Sequence, residues 1–401
     1  MELDRSTKRR IVVVLGLMTG MSATAVDMSL AAFPDMAREF GTSISAGQIV
    51  VGAFILGLGL GQVPAGLMSD RRGRLPVIYT GVSLFTLAGV ATALAGSIET
   101  MVAARFVQGL GASVGMVVAR AMVRDMASER EAARMLSVMA MIFTLAPMLA
   151  PIVGGYLVVQ VGWRAPFVAV TGFGVMVLIA ALIFLRETGQ PRREGHPLRQ
   201  LMSSVHIFLS HRRSIFGASL IILSAMGFMT VIAGASALII DIYGYSTEQF
   251  GFIFATGGLS ILIASSINRQ VLLHWQVLQG VGLGALLVGL GGLGLLLAAW
   301  LDAPPFWLVW GCVCSYLAGY SFVFANASAM ALEPLPNTAG VASSIIGSTQ
   351  HTLAAISAVA AAAIYDGTVA RSVIVMGAFG TAALLLFIGR NAILRRPGYA
   401  G

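Results

Sequence analysis

The chain has 401 residues, 57% of them apolar and 10% charged, with a mean hydropathy of +0.88 and a net charge of +8. Soluble domains carry about 25% charged residues, so this composition excludes a water-soluble globule and requires lipid as solvent. The basic residues lie in short clusters between apolar runs, which excludes a nucleic-acid groove binder with its one-sided stripe.

Apolar runs of about 20 residues predict twelve spans, near 11–34, 47–68, 77–96, 101–123, 135–160, 165–185, 214–240, 248–268, 277–300, 306–330, 338–364 and 371–390. The first run is too long for a cleavable leader and has no small-residue cleavage site, so it is expected to remain as a span. It ends in Val26-Asp27-Met28-Ser29-Leu30-Ala31-Ala32-Phe33-Pro34. Of the seventeen acidic residues, only Asp27 lies well inside a span. A carboxylate at that depth costs several kcal/mol, which marks it for a function or a partner.

With the amino terminus in the cytoplasm, twenty of the 25 Lys and Arg residues fall in inner segments, and Arg38, Arg164 and Arg371 in outer loops. Arg105 and Arg120 fall inside the fourth span. That bias predicts both termini inside. After the second span comes Gly66-Leu67-Met68-Ser69-Asp70-Arg71-Arg72-Gly73-Arg74. Gly66 and Gly73 permit tight helix ends, and Asp70 is placed to cap a helix or pair with the arginines beside it.

The longest polar stretch runs from Arg186 to Arg213 and holds six arginines with Gly189, Pro191, Gly195 and Pro197. It divides the chain into an amino-terminal bundle (1–185), a cytoplasmic linker (186–213) and a carboxyl-terminal bundle (214–401). Two parallel six-helix halves with a midplane substrate site between them are a transporter layout. From His196 to Arg213 the linker is either plain chain or a surface helix with Leu198, Leu201, Met202, Val205 and Leu209 on one face. Gly57-x-x-x-Gly61-x-x-x-Ala65 and Gly280-x-x-x-Gly284 predict close helix approach. Gly289-Leu-Gly291-Gly292-Leu-Gly294 has the dinucleotide-fingerprint spacing without its preceding strand and acidic residue, so no nucleotide is expected there. Cys312 and Cys314, with no third soft ligand nearby, read as small buried hydrophobes.

Four stretches resemble the major facilitator superfamily. The Gly66–Arg74 hairpin resembles its signature loop between helices two and three, which implies a gating role for Gly66, Asp70, Arg71, Gly73 and Arg74. Arg105-Phe-Val-Gln108-Gly109 looks like the helix-four pattern. Ala146-Pro147-Met-Leu-Ala150-Pro151-Ile-Val-Gly154-Gly155 is similar to the antiporter motif of helix five, with Ala150 where a glycine is usual. Asp27–Pro34 resembles the end of helix one in drug:proton antiporters, with Ala31 in place of a proline. With Arg120-Ala-Met-Val-Arg124-Asp125 and Ala339-Gly340-Val-Ala342-Ser343-Ser344, the likeness points to the bicyclomycin/chloramphenicol-resistance branch. It implies an all-α polytopic membrane protein, twelve spans in two pseudo-symmetric six-helix bundles, working as a monomeric proton-coupled exporter of amphipathic drugs in a bacterial inner membrane. No enzyme activity, cofactor, metal or nucleic-acid partner is expected; the proton gradient supplies the energy.

Depth arguments sharpen the site. Asp27 lies roughly 10 Å and Arg105 roughly 6 Å below the outer boundary at 1.5 Å per residue. Helices in contact would pair them and offset their burial. Nearby cation favours the ionised carboxyl and loss of water the protonated one, so exchange between the two makes Asp27 the expected proton carrier and Arg105 its charge partner, unless the pair only fixes helix packing. Arg120, about 22 Å further along the same helix, is expected either to snorkel, to pair with Asp125, or to line the inner cavity. His351, beside Gln350, is either a relay group or a hydrogen-bonded packing group. Met28, Gln62, Tyr316, Tyr320 and Asn326 complete the expected cavity lining, where tyrosines and methionines suit varied amphipathic ligands. Two other readings share the composition: a transporter of a dedicated metabolite such as a sugar or amino acid, and a polytopic enzyme, for which the loops lack a histidine or carboxylate cluster.

Overall fold

The computed structural model describes residues 5–189, 197–335 and 338–394. All regular structure among them is helical: α1 (Arg5–Asp27), a 3-10 turn (Leu30–Ala32), α2 (Phe33–Glu39), α3 (Ala46–Arg72), α4 (Arg74–Ala93), α5 (Ile98–Met126), α6 (Glu129–Val161), α7 (Ala165–Phe184), α8 (Pro197–Ser210), α9 (Arg212–Ser236), a π turn (Ala237–Ile242), α10 (Thr247–Val271), α11 (Val277–Ala298), α12 (Phe306–Leu332), α13 (Ala339–Ile364), α14 (Val369–Ile388) and α15 (Arg390–Leu394). Twelve runs among the described residues are long and apolar enough to cross a membrane, matching the expected spans to within a few residues at their ends. Large apolar side chains such as Val161, Leu182, Ile183 and Leu297 stand exposed on outer helix faces. In water such surface would aggregate; in a bilayer it is solvated.

The first span departs from a simple rod. Its helix ends at Asp27, and the chain turns through Leu30–Ala32 before α2. Ser29 is the cause: its amide and its hydroxyl both bond back to the Val26 carbonyl, at 3.1 and 2.8 Å. Pro34 then sits in the first turn of α2, where its missing N–H costs nothing.

The chain divides into two compact units, residues 1–194 with 235–255, and 195–234 with 256–401. In the first, α5 packs against α1, α3, α4 and α6. Glycines set these distances: a Cβ on Gly57 would lie 2.1 Å from the Phe106 carbonyl oxygen, and one on Gly109 2.0 Å from that of Phe54. Residues 235–255 join this unit, where Gly155 faces the Thr247 carbonyl and Gly251 that of Pro151. In the second unit α11 packs on α12 and α14, and α8 on α13. Gly284 of α11 meets Val323 and Gly319 of α12, so both small-residue motifs serve close packing. The glycines that imitate a dinucleotide fingerprint lie on α11 against Cys312, Tyr316, Gly377 and Leu384. Of the linker, α8 realises the helical alternative, while residues 190–196, with Pro191 and Gly195, lie outside the described residues.

Candidate functional site

The break after α1 creates the site. Because the Ser29 amide turns back to Val26, the Ala25 carbonyl loses its usual helical donor. Arg105 of α5 supplies one: its Nη2 donates to the Ala25 oxygen at 3.0 Å and to Ser29 Oγ at 3.4 Å, and its Nη1 to Gln108 Oε1 at 2.9 Å. The guanidinium also lies over the Phe54 ring at 4.6 Å and the Phe167 ring at 5.8 Å. It is fully buried, and the carboxyl-terminal end of α1 offers it a partial negative charge.

Asp27, two residues from that carbonyl, is buried to 5% exposure, and no hydrogen bond or ion pair reaches its carboxylate among the described residues. The Asp27–Arg105 pair suggested by their shared depth is therefore not made in this structure. The two residues lie at one level of the packed helices, but the carbonyl freed by the break takes the guanidinium. Gly154 of α6 closes the other side, since a Cβ there would sit 2.2 Å from the Met28 carbonyl oxygen. Three of the sequence motifs thus converge on one helix end. Met28 is half-buried, while Met18 and Met21 are buried in the helix packing. Pro147 and Pro151 lie inside α6, which continues unbroken past both; each removes one backbone donor from the ladder. Gln62 is buried on α3 and engaged in an interaction there.

At the opposite end of the unit, Gly73 joins α3 to α4 with φ of +91°, a conformation that favours glycine. Arg74 binds Asp70 at 2.6 Å, Asp125 at 2.9 Å and Ser69 Oγ at 2.8 Å. Arg71 is exposed and engaged; Gly66 accepts the Ser69 hydroxyl at its carbonyl. The expected pairing of Arg120 with Asp125 is not made. Five helical residues place the two about 140° apart around α5, and Arg74 reaches Asp125 instead. Arg120 stays half-buried without a hydrogen bond or ion pair among the described residues. Sequence reasoning missed Glu187, whose carboxylate accepts the amides of Arg74 at 2.9 Å and Leu75 at 3.0 Å and so caps α4. Its burial opposes ionisation, but bonds from the amides of Arg74, Leu75, Gly189 and Thr188 outweigh it and hold Glu187 below the usual carboxylate range.

In the second unit the expected lining residues separate into two kinds. Tyr316 is fully buried, its hydroxyl donating to the Ser224 carbonyl at 3.0 Å. Asn326 is buried and donates to Asn268 at 2.8 Å, tying α12 to α10. Both serve helix packing. Tyr320 instead is half-buried, stacks on Phe228 at 4.5 Å and accepts a bond from Gln350 at 2.9 Å. His351 is half-buried with Nδ1 2.7 Å from the Gly347 carbonyl. Tyr320, Phe228 and Gln350 together offer flat aromatic surface beside polar handles, the chemistry that amphipathic ligands need.

Comparison with known proteins identifies the family. The family model of the Major Facilitator Superfamily matches residues 15–359. The chain is 29% identical to a bicyclomycin resistance protein homolog of Haemophilus influenzae, over 94% of each chain. It is 30% identical to the multidrug resistance protein MdtL of Escherichia fergusonii, over 81% of each. Among solved structures, a D-xylose-proton symporter superposes with a TM-score of 0.79 over 94% of this chain and 97% of its own, at 17% identity, a likeness of fold alone. The chain belongs to the Major Facilitator Superfamily of membrane transporters.

Proposed function

We propose that this transporter exports small amphipathic antimicrobial compounds from a bacterial cytoplasm, across the inner membrane, in exchange for protons. Asp27 carries the proton, and Arg105 fixes the helix end that holds it. The observation that carries the reading is a buried carboxylate with no hydrogen bond or ion pair among the described residues, at a helix break held by a buried arginine. An ionisable group kept at that depth without structural employment is suited to binding and releasing a proton as water access changes. The names of the relatives in bicyclomycin and multidrug resistance support the substrate class. No cofactor beyond the proton gradient is needed, and the chain is read as a monomer with both termini in the cytoplasm.

The test is proton release from detergent-purified protein on adding phenicols, bicyclomycin, lipophilic cations, sugars and amino acids in turn, wild type beside Asp27→Asn. Release by wild type alone, with drug binding retained in the variant, supports the assignment. Equal release by both removes Asp27 from the role. Release only with sugars or amino acids would make the chain a transporter of a dedicated metabolite.

A further inference from the structure

At the end of the second unit where α9 and α11 begin and α12 finishes, the surface holds an open cavity of about 840 Å³. Arg212, Arg213, Trp275, Leu278, Met330 and Glu333 are among its walls. Its chemistry is graded. Leu278 and buried Met330 give it apolar lining, exposed Trp275 an aromatic one, and the two arginines open the sequence of α9. Glu333 binds Arg213 at 2.9 Å and cancels its charge. Arg212 is exposed and has no hydrogen bond or ion pair among the described residues, so one cation of the cavity is left for a ligand.

The positive-inside bias assigns this end to the cytoplasmic leaflet. A site there, between helix ends, lies at the level of the lipid headgroups. Basic pockets between helix ends on that side suit anionic headgroups, and tryptophan is favoured at the headgroup level. We infer that this cavity binds one anionic phospholipid, with the phosphate on Arg212, the glycerol region at Trp275 and an acyl chain along Leu278 and Met330. The volume lies within the range of small-ligand sites, about 300–1,000 Å³. This assignment depends on the orientation of the chain and not on which compound it exports.

Native mass spectrometry of the full-length protein, purified in a delipidating detergent, tests it. Dioleoyl phosphatidylglycerol, dioleoyl phosphatidylethanolamine and glycerol 1-phosphate are titrated in parallel. Phosphatidylglycerol is expected to bind in preference to phosphatidylethanolamine, and Arg212→Gln to weaken it about fivefold, the equivalent of about 1 kcal/mol per cation near the surface. Trp275→Ala is expected to weaken it as well and serves if Arg212→Gln does not fold. Arg124→Gln, an exposed arginine of the first unit, removes the same charge elsewhere and is expected to leave binding unchanged. Unchanged affinity in Arg212→Gln, or in Trp275→Ala where that variant stands in, overturns the proposal. So does an equal loss in Arg124→Gln, or binding of glycerol 1-phosphate as tight as that of the lipid.

Discussion

Gly154→Ala isolates the contact that presses α6 onto the helix end carrying Asp27. The added Cβ would lie 2.2 Å from the Met28 carbonyl oxygen, 2.9 Å from its carbon and 3.1 Å from its Cα. A comfortable carbon–oxygen contact starts at about 3.3 Å, so the two segments must part by roughly 1 Å. All three atoms are backbone, and no rotamer change can absorb the movement. Overpacking of this kind costs about 1–3 kcal/mol, against a gain of about 1 kcal/mol in helix propensity on replacing glycine. Gly172→Ala on α7 is the matched control, because nothing lies within 4 Å of its Cβ and only the propensity gain remains. Thermal unfolding in detergent should therefore separate the two variants by about 1–3 kcal/mol, Gly154→Ala being the weaker. Drug efflux from everted vesicles should fall in Gly154→Ala beyond what its stability explains, since the displaced segment carries the carboxylate. If both variants are equally stable and equally active, the backbone contact does not position the site.

Arg105→Lys keeps the cation but not the planar fork that serves Ala25, Ser29 and Gln108 together; losing one charged hydrogen bond, about 1.5–3 kcal/mol, should lower efflux at least about tenfold, and wild-type efflux would refute the anchoring role. Glu187→Ala should destabilise the protein at neutral pH by about 0.5–1 kcal/mol, the low end of a capping interaction because the carboxylate is exposed. The depressed value of Glu187 makes its contribution complete above about pH 4.5 and lost as pH falls through the still lower folded value. The gap between wild type and variant in thermal melts should therefore close on acidification; a gap independent of pH contradicts the cap. Tyr316→Phe removes one bond to the Ser224 carbonyl at constant shape and should cost about 0.5–1.5 kcal/mol in the same melts with substrate range unchanged; an altered range would place the hydroxyl in ligand binding.

The twelve spans were legible because each is a long run of apolar residues whose burial in lipid needs no knowledge of its neighbours. The common level of Asp27 and Arg105 was legible as well, since rise per residue places both the same way along their helices. Their pairing was not, because it turned on the Ala25 carbonyl, which becomes available only when Ser29 diverts the helix. Glu187 was illegible as a cap. It lies 113 residues from the amide it receives, and the hairpin motif contains a nearer carboxylate, Asp70. Tyr316 and Asn326 illustrate a further limit: polar residues inside a span read alike whether they meet a ligand or another helix, and here both meet helices.

The reciprocal glycine contacts of α3 and α5 bear on how such a machine can move. Backbone touches backbone at Gly57 and at Gly109, and again where Gly115 meets the Met18 carbonyl of α1. Side-chain contacts tolerate sliding because rotamers re-sort, whereas these act like meshed teeth and permit neither rotation nor a shift of register. Helices α1, α3 and α5 therefore travel as one block, and any flexing within the first unit is left to joints made of bendable parts. One such joint is the part of α6 ahead of Pro147, where Ile142 reaches Gly16 through a side chain that can yield, unlike the backbone contact of Gly154 further along.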